Sequence, residues 1–366
     1  MTSPTPKKRL LSLDALRGFD MFWIIGGEEI FHLLAKTTSW PWVVAVSYQL
    51  NHPDWNGFRA YDLIFPLFLF MAGVSTPYSL ANKHNTDRNV LVRKIVQRGL
   101  TLVLLGIIYN NGLELKPIAE MRFASVLARI GLAGMFAQLL YVYTNTRTQY
   151  YIFGGILISY WLFVMLVPVP GCGAGLMTID CNPVSYIDKN ILPGLLHKTI
   201  HDPEGLVSTL PAICTALLGI FAGNILKSET AETQKIKQLL NIGALCLVVG
   251  YVWDFAFPIN KNLWTSSFVL WVGGLSMLLL AVFYWLIDYK GYNRYAWVFS
   301  VIGTNSILIY LASHFIDFDK TTEALFGGIF KYFTQPTQHI LHAVGFVLVE
   351  WLFLYFLYKK KVFLKV

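Results

Sequence analysis

Charge is scarce in this sequence: Asp, Glu, Lys and Arg make up 14% of 366 residues, against roughly a quarter in an ordinary soluble domain. With 55% apolar residues and a mean hydropathy of +0.52, that shortage excludes a soluble globular enzyme. Cysteine is also scarce. The four present are too few for a disulfide-dense scaffold, and no CxxC or Cys/His spacing suggests zinc, so no metal site is expected. The 28 Gly show no period of three and 15% of residues are aromatic, which excludes collagen-like and disordered chains. There is no Gly-rich phosphate loop, no visible repeat and no polar linker. What remains is an all-α polytopic membrane protein, read as a single transmembrane domain over residues 1–366.

A helix needs about 20 residues to cross the hydrocarbon core. Apolar runs between polar breaks predict ten spans, at about 12–34, 60–82, 93–112, 121–143, 149–168, 206–226, 236–257, 263–288, 294–317 and 338–358, with 322–333 as a re-entrant or interfacial piece. The first run carries Asp14, Arg17 and Asp20 and no small-residue cleavage site, so it reads as a span rather than a leader. With ten spans the termini share a side. Loops on that side hold roughly twice as many Lys and Arg as the others, which places both termini in the cytoplasm. The net charge of +8 is thereby assigned to orientation, and no nucleic acid partner is expected. The outer loops are then about 35–59 and 169–205, and every histidine except His84 falls at the outer face. The longer loop contains Cys172 and Cys181 in a compartment that permits disulfides, and a bridge is favoured over two unpaired thiols.

Ionisable residues inside spans are expensive and are functional candidates by default. Asp14, Arg17 and Asp20 are spaced to pair along one helix face, as an ion ladder or as a site. Arg98 can snorkel or function. Arg129 falls about eight residues, or roughly 12 Å, into its span, and is expected to pair with Asp20 or Asp254 or to hold an anion. Asn305 lies mid-span, where packing and ligand binding are both open. Asn262 and Trp264 suit substrate binding, or capping and interfacial anchoring; Asp202 and Glu204 precede a helix that either can cap. The segment from Asn51 to Asp62 crowds His52, Asp54, Trp55, Asn56 and Asp62 into one outer loop, where an imidazole beside a carboxylate can act as a general base.

That segment, HPDWNGFRAYDLIFPLFLFMAGVS, resembles the signature of the heparan-α-glucosaminide N-acetyltransferase family and its bacterial relatives. RLLSLDALRGFDM, MRFASVLARIGL, HDPEGL, PINKNLW and GTNSILIYLASH follow in the family's order, so the resemblance runs from Arg9 onward. It implies a transmembrane acyltransferase that takes acetyl from cytosolic acetyl-CoA and delivers it to the amino group of a terminal glucosamine across the membrane. In a bacterium that membrane is the inner one, with the catalytic loop facing the periplasm or exterior. His52 matches the active histidine, as direct base or acetyl carrier, and Asp62 is assigned beside it. Asp54, Trp55, Asn56, Asn262, Trp264 and Glu204 are then expected to bind the acceptor. Asp14, Arg17, Arg98, Arg129 and Asn305 are expected to bind acetyl-CoA. Membrane lipids are further partners, and a homodimer is consistent with the family. Two rivals stand beside this reading: an amino-sugar transporter, against which no pair of corresponding broken helices is evident in the two halves, and an O-acyltransferase of envelope glycans.

Overall fold

The computed structural model describes residues 10–81, 87–114, 116–197 and 199–364. Lys7, Lys8, Arg9, Lys83, His84, Lys198 and Lys365, which entered the charge and histidine arguments, lie outside them. The described residues form helices, short 3-10 turns and loops, with two isolated bridges in place of a sheet. In chain order the helices are α1 (Leu11–Phe22), α2 (Glu28–Thr38), α3 (Pro41–Gln49), α4 (Ile64–Ala81), α5 (Arg88–Asn111), α6 (Val126–Tyr143), α7 (Thr146–Leu166) and α8 (Pro183–Ile191). They continue as α9 (Thr209–Lys227), α10 (Glu232–Asp254), α11 (Ser266–Tyr284), α12 (Asn293–Gly303), α13 (Ser306–Phe315), α14 (Phe318–Phe330) and α15 (Gln335–Lys359).

Seven described helices are long and apolar enough to cross a membrane, or eight if α12 and α13, bent by 51° at their junction, form one span. Two of the ten expected segments fail that test, each for a physical reason. The first is broken at Ile25 and Gly26, whose backbone leaves helical geometry between α1 and α2. The third, α5, is a full 24-residue helix diluted by Arg88, Arg93, Lys94, Arg98 and several amides. The expected piece at 322–333 lies on the 13-residue α14. The expected outer loop at 35–59 contains all of α3, and the one at 169–205 contains α8 and the Cys172–Cys181 disulfide.

The described chain falls into two compact units, one formed by the segment up to Tyr48 with that from Leu279 onward, the other by Gln49–Leu278. In the first, α1 packs on α12, α14 on α15, and α2 on α15. In the second, α9 is the buried centre, contacting α4, α6, α7 and α10, while α5 pairs with α6. Small residues permit the α4–α9 contact. A Cβ on Gly73 would strike the Ala216 carbonyl, and one on Gly219 that of Phe70, so the two backbones touch directly. Four connections of this unit meet: 49–63, 112–125, 167–208 and 255–265. They are stitched there by Gly57 N–H to Ile259 O (2.8 Å), Leu195 N–H to Met121 O (2.9 Å) and Trp55 Nε1 to Met177 O (2.6 Å).

Candidate active site

Asp62 sits in a 3-10 turn (Ala60–Leu63) that leads into α4. Its side chain is 1% exposed, and the Arg59 backbone N–H donates to Oδ2 at 3.0 Å. Oδ1 is thereby aimed at the His52 imidazole, whose Nδ1 lies 2.6 Å away. A carboxylate on Nδ1 fixes the proton there, so the lone pair of neutral His52 belongs to Nε2. The His52 side chain is 50% exposed; this nitrogen can meet a ligand. The Arg59 guanidinium ties the loop by donating to His52 O at 2.8 Å. A third group joins from 200 residues away. Lys261 Nζ lies 3.4 Å from Asp62 Oδ1 and 3.4 Å from each imidazole nitrogen. Burial draws the Lys261 ammonium below the usual lysine range, against the opposing pull of Asp62 and Glu204.

Beside this triad lies a denser ion cluster. Arg122 donates through Nε and Nη2 to the two oxygens of Asp202 at 2.9 and 2.8 Å, and through Nη2 to Glu204 at 2.7 Å. Asp202 also accepts the backbone N–H groups of His197 and Glu204, both at 3.0 Å. Burial opposes the charge on both partners, yet the bidentate pairing outweighs it, holding Arg122 above and Asp202 below their usual values. Asp188, on α8, accepts from Leu206 N (3.0 Å) and Val207 N (3.2 Å) and so fastens α8 to the start of α9. Its burial is the larger influence and pushes it up to about 6. Gly205 is required here because a Cβ would overlap the Asp188 carboxylate.

Arg129 is buried among these groups. Its Nη2 donates to Gly205 O at 3.1 Å and to Ser208 Oγ, and its guanidinium lies 4.9 Å from the ring centre of Trp264. Nε and Nη1 have no hydrogen-bond partner among the described residues. The expected depth of eight residues is corrected. Met121 to Ser125 are extended before the Ser125 cap, so Arg129 is the fourth residue of α6, and its bonds go to the 205–208 turn rather than to Asp254. Asp254 instead accepts from Ile259 N at 2.6 Å.

The other expected residues separate by what they touch. Asn56 Oδ1 accepts from Asn260 Nδ2 at 2.9 Å, joining the His52 loop to the PINKNLW loop. Trp55 packs edge-on against His201, which contacts Ser185 at 3.1 Å. Trp264 is wholly buried, with its backbone in the left-handed region (φ 51°), Nε1 on Thr215 Oγ1 at 3.1 Å, and Phe65 and Phe268 against its ring. Such a conformation costs a non-glycine residue of order 1 kcal/mol and persists where the surroundings over-determine it. Asp54 is exposed and Asn262 half-buried on the same two loops, and Arg98 lies on the exposed face of α5. Asp14, Arg17 and Asn305 belong to the other unit. There Arg17 lies 3.8 Å from Asp14, and the Asn305 amide donates to Val362 O (2.9 Å) and accepts from Leu364 N (3.0 Å), tethering the C-terminal segment. Sequence reasoning missed Lys261, Asn260, Arg122 and Asp188 as site groups. The signal for Lys261 and Asn260 was their place inside PINKNLW, and for Arg122 its place inside MRFASVLARIGL; Asp188 offered none beyond being a charge in an outer loop.

Seven described helices long and apolar enough to cross a membrane define an integral membrane protein. Residues 9–253, more than half of the chain, match the family model described as heparan-alpha-glucosaminide N-acetyltransferase, catalytic, and the chain belongs to that family. It is 26% identical to heparan-alpha-glucosaminide N-acetyltransferase of Homo sapiens, over 98% of this chain and 60% of that protein. To the Mus musculus protein of the same name it is 26% identical, over 87% of this chain and 57% of that protein. The chain therefore spans about 60% of the length of the human relative it matches.

Proposed function

We propose that this chain is a transmembrane N-acetyltransferase that moves acetyl from cytosolic acetyl-CoA to the amino group of glucosamine, or of a glucosamine-terminated saccharide, at the outer face. The observation that carries the reading is the 2.6 Å bond between Asp62 and His52 Nδ1, which leaves Nε2 available on a half-exposed ring. As the amine nitrogen bonds the acetyl carbon, Nε2 takes the proton that nitrogen loses, and Asp62 stabilises the imidazolium. His52 then returns the proton to the departing sulfur. The same nitrogen can instead carry acetyl as a covalent intermediate, which rapid quenching with labelled donor would trap.

Trp55, Asn56, Asn262 and Glu204, on the loops around His52, are assigned to the acceptor together with Asp54. Trp264 supports them from beneath. Arg129 is assigned to the acetyl end of the donor, because its Nε and Nη1 are buried without a partner among the described residues and can donate to one oxygen. Within the Gln49–Leu278 unit the CoA phosphates are assigned to Arg98; Arg17, with Asp14 and Asn305, is proposed separately as a donor-binding group of its own unit. We read ten spans with both termini cytoplasmic, a bacterial inner-membrane setting and a homodimer. Glucosamine-dependent release of free CoA from the purified protein tests the reading, and sugar binding without release overturns it. Acetyl-CoA supplied only outside oriented vesicles is expected to support no transfer. One observation favours an amino-sugar transporter as a second reading: the breaks at Ile25 and Gly26 and between α12 and α13, the kind of interruption found at transport sites. Sugar uptake independent of acetyl-CoA would select it.

A further inference from the structure

Acyl transfer to an amine needs more than a base. Negative charge develops on the carbonyl oxygen, and a positioned donor for it is commonly the largest single contribution. The triad holds such a donor in Lys261. Its turn is rigidly built: Asn260 Oδ1 accepts from Leu263 N at 2.9 Å, Thr265 N donates to Asn260 O at 3.1 Å, and Asn260 Nδ2 reaches Asn56. The Lys261 side chain is 20% exposed, so it opens on the same space as His52 without being free in solvent. An ammonium has three N–H donors. One is directed at Asp62 Oδ1, and only Nε2 of the ring has a lone pair for another, since Nδ1–H is given to Asp62. At 3.4 Å the contact with Nε2 is too long to be a strong bond. That donor is therefore available to an oxygen arriving beside Nε2, where the reacting carbonyl must lie when its amine partner gives its proton to that nitrogen.

We propose that Lys261 is a catalytic residue that donates a hydrogen bond to the oxyanion of the tetrahedral intermediate, a role that rests on the acetyltransferase reading above. In the first step the C–N bond forms, the carbonyl π pair moves onto oxygen and is bound by Lys261 N–H, and the amine proton passes to His52. In the second the C=O bond re-forms, the C–S bond breaks, and the departing sulfur recovers the proton from His52. Lys261 remains an ammonium throughout. The same charge beside Nε2 opposes the imidazolium and so favours onward delivery of the proton.

The test is Lys261→Met, read by kcat and by affinity for a methylphosphonyl thioester analogue of acetyl-CoA, whose tetrahedral anionic centre mimics the oxyanion. Expected are a loss in kcat of about 10² to 10³, a parallel loss of analogue affinity, little change in acetyl-CoA affinity, and partial recovery in Lys261→Arg. A group serving only as counter-ion to Asp62 would lower kcat without the parallel loss for the analogue, and that result overturns the proposal. So does a kcat within about threefold of wild type. If Lys261→Met does not fold, Lys261→Leu, which also lacks an N–H donor, carries the same two measurements. Wild-type protein that releases no CoA overturns the acetyltransferase reading itself, whereas an active wild type matched by Lys261→Met overturns only the role of Lys261.

Discussion

Around Arg122, a guanidinium is paired with two carboxylates, Asp202 through two bonds and Glu204 through one, and Asp202 at their centre is 0% exposed. Around His52, one carboxylate serves an imidazole and an ammonium, and the ring is half open. The residue types are nearly the same and both clusters lie on connections of the Gln49–Leu278 unit. What separates them is how the carboxylate is used. Asp202 is committed to Arg122 and to the backbone of the 197–208 turn, which it positions, while a pair with a spare lone pair and a spare N–H can do chemistry on a ligand. Substitutions in the first should therefore register as stability and in the second as rate.

The sharpest break of that contrast is His52→Ala. Transfer should fall by at least about a hundredfold and up to about ten-thousandfold, with the thermal midpoint nearly unchanged, because a half-exposed imidazole carries little packing. Retention of more than about a tenth of turnover would remove His52 from the reaction.

Next in size is a pH effect at Asp188, which fastens α8 to the start of α9. Asp188 lies at about 6 in the fold against an ordinary 3.8, so folding favours its protonated form. The associated stability is present below about pH 4 and is lost as pH rises through about 6, a difference of about 3 kcal/mol. Asp188→Asn cannot ionise and keeps the oxygen that accepts from Leu206 and Val207. Its unfolding temperature should decline less between pH 4 and 7 than that of wild type; identical slopes would show that Asp188 is not the source of the pH dependence.

Arg122→Met should destabilise by about 2 kcal/mol. The value for a fully buried pair, about 3 to 5 kcal/mol, is discounted because the Arg122 side chain is 22% exposed. Any change in activity per folded molecule should appear in the KM for the acceptor, through Glu204, and a loss of kcat as large as that of His52→Ala would erase the distinction between the clusters. The smallest effect expected is from Asn56→Ala, which removes the bond to Asn260 and should cost about 1 kcal/mol, measured by thermal unfolding, with a modest rise in KM for the acceptor.

Much of this was legible along the chain. His52 and Asp62 are ten residues apart in one loop, so their partnership follows from local spacing and a known motif. Apolar runs located the helices, since a span is a one-dimensional property of about 20 residues. The breaks were less visible. Ile25 and Gly26 interrupt a run that stays apolar, and Asn305 follows α12 with no proline to announce the bend. Arg129 was placed too deep because Met121 to Ser125 are compatible with a helix by composition, and only their pairing with Asn111 and Gly194 holds them extended.

The sequence by itself determined that the chain belongs in a membrane, which runs of it are helical and where a base could stand, because hydrophobic length and short-range spacing are local quantities. Only the tertiary structure decided that Lys261 completes the His52 pair, that Arg122 spends its charge on Asp202 and Glu204, and that Arg129 stacks on Trp264. Each of these joins segments about 80 to 200 residues apart. Which charge meets which across such distances depends on helix direction and on how closely glycines such as Gly73 and Gly219 let the helices approach, and neither is written in any single segment.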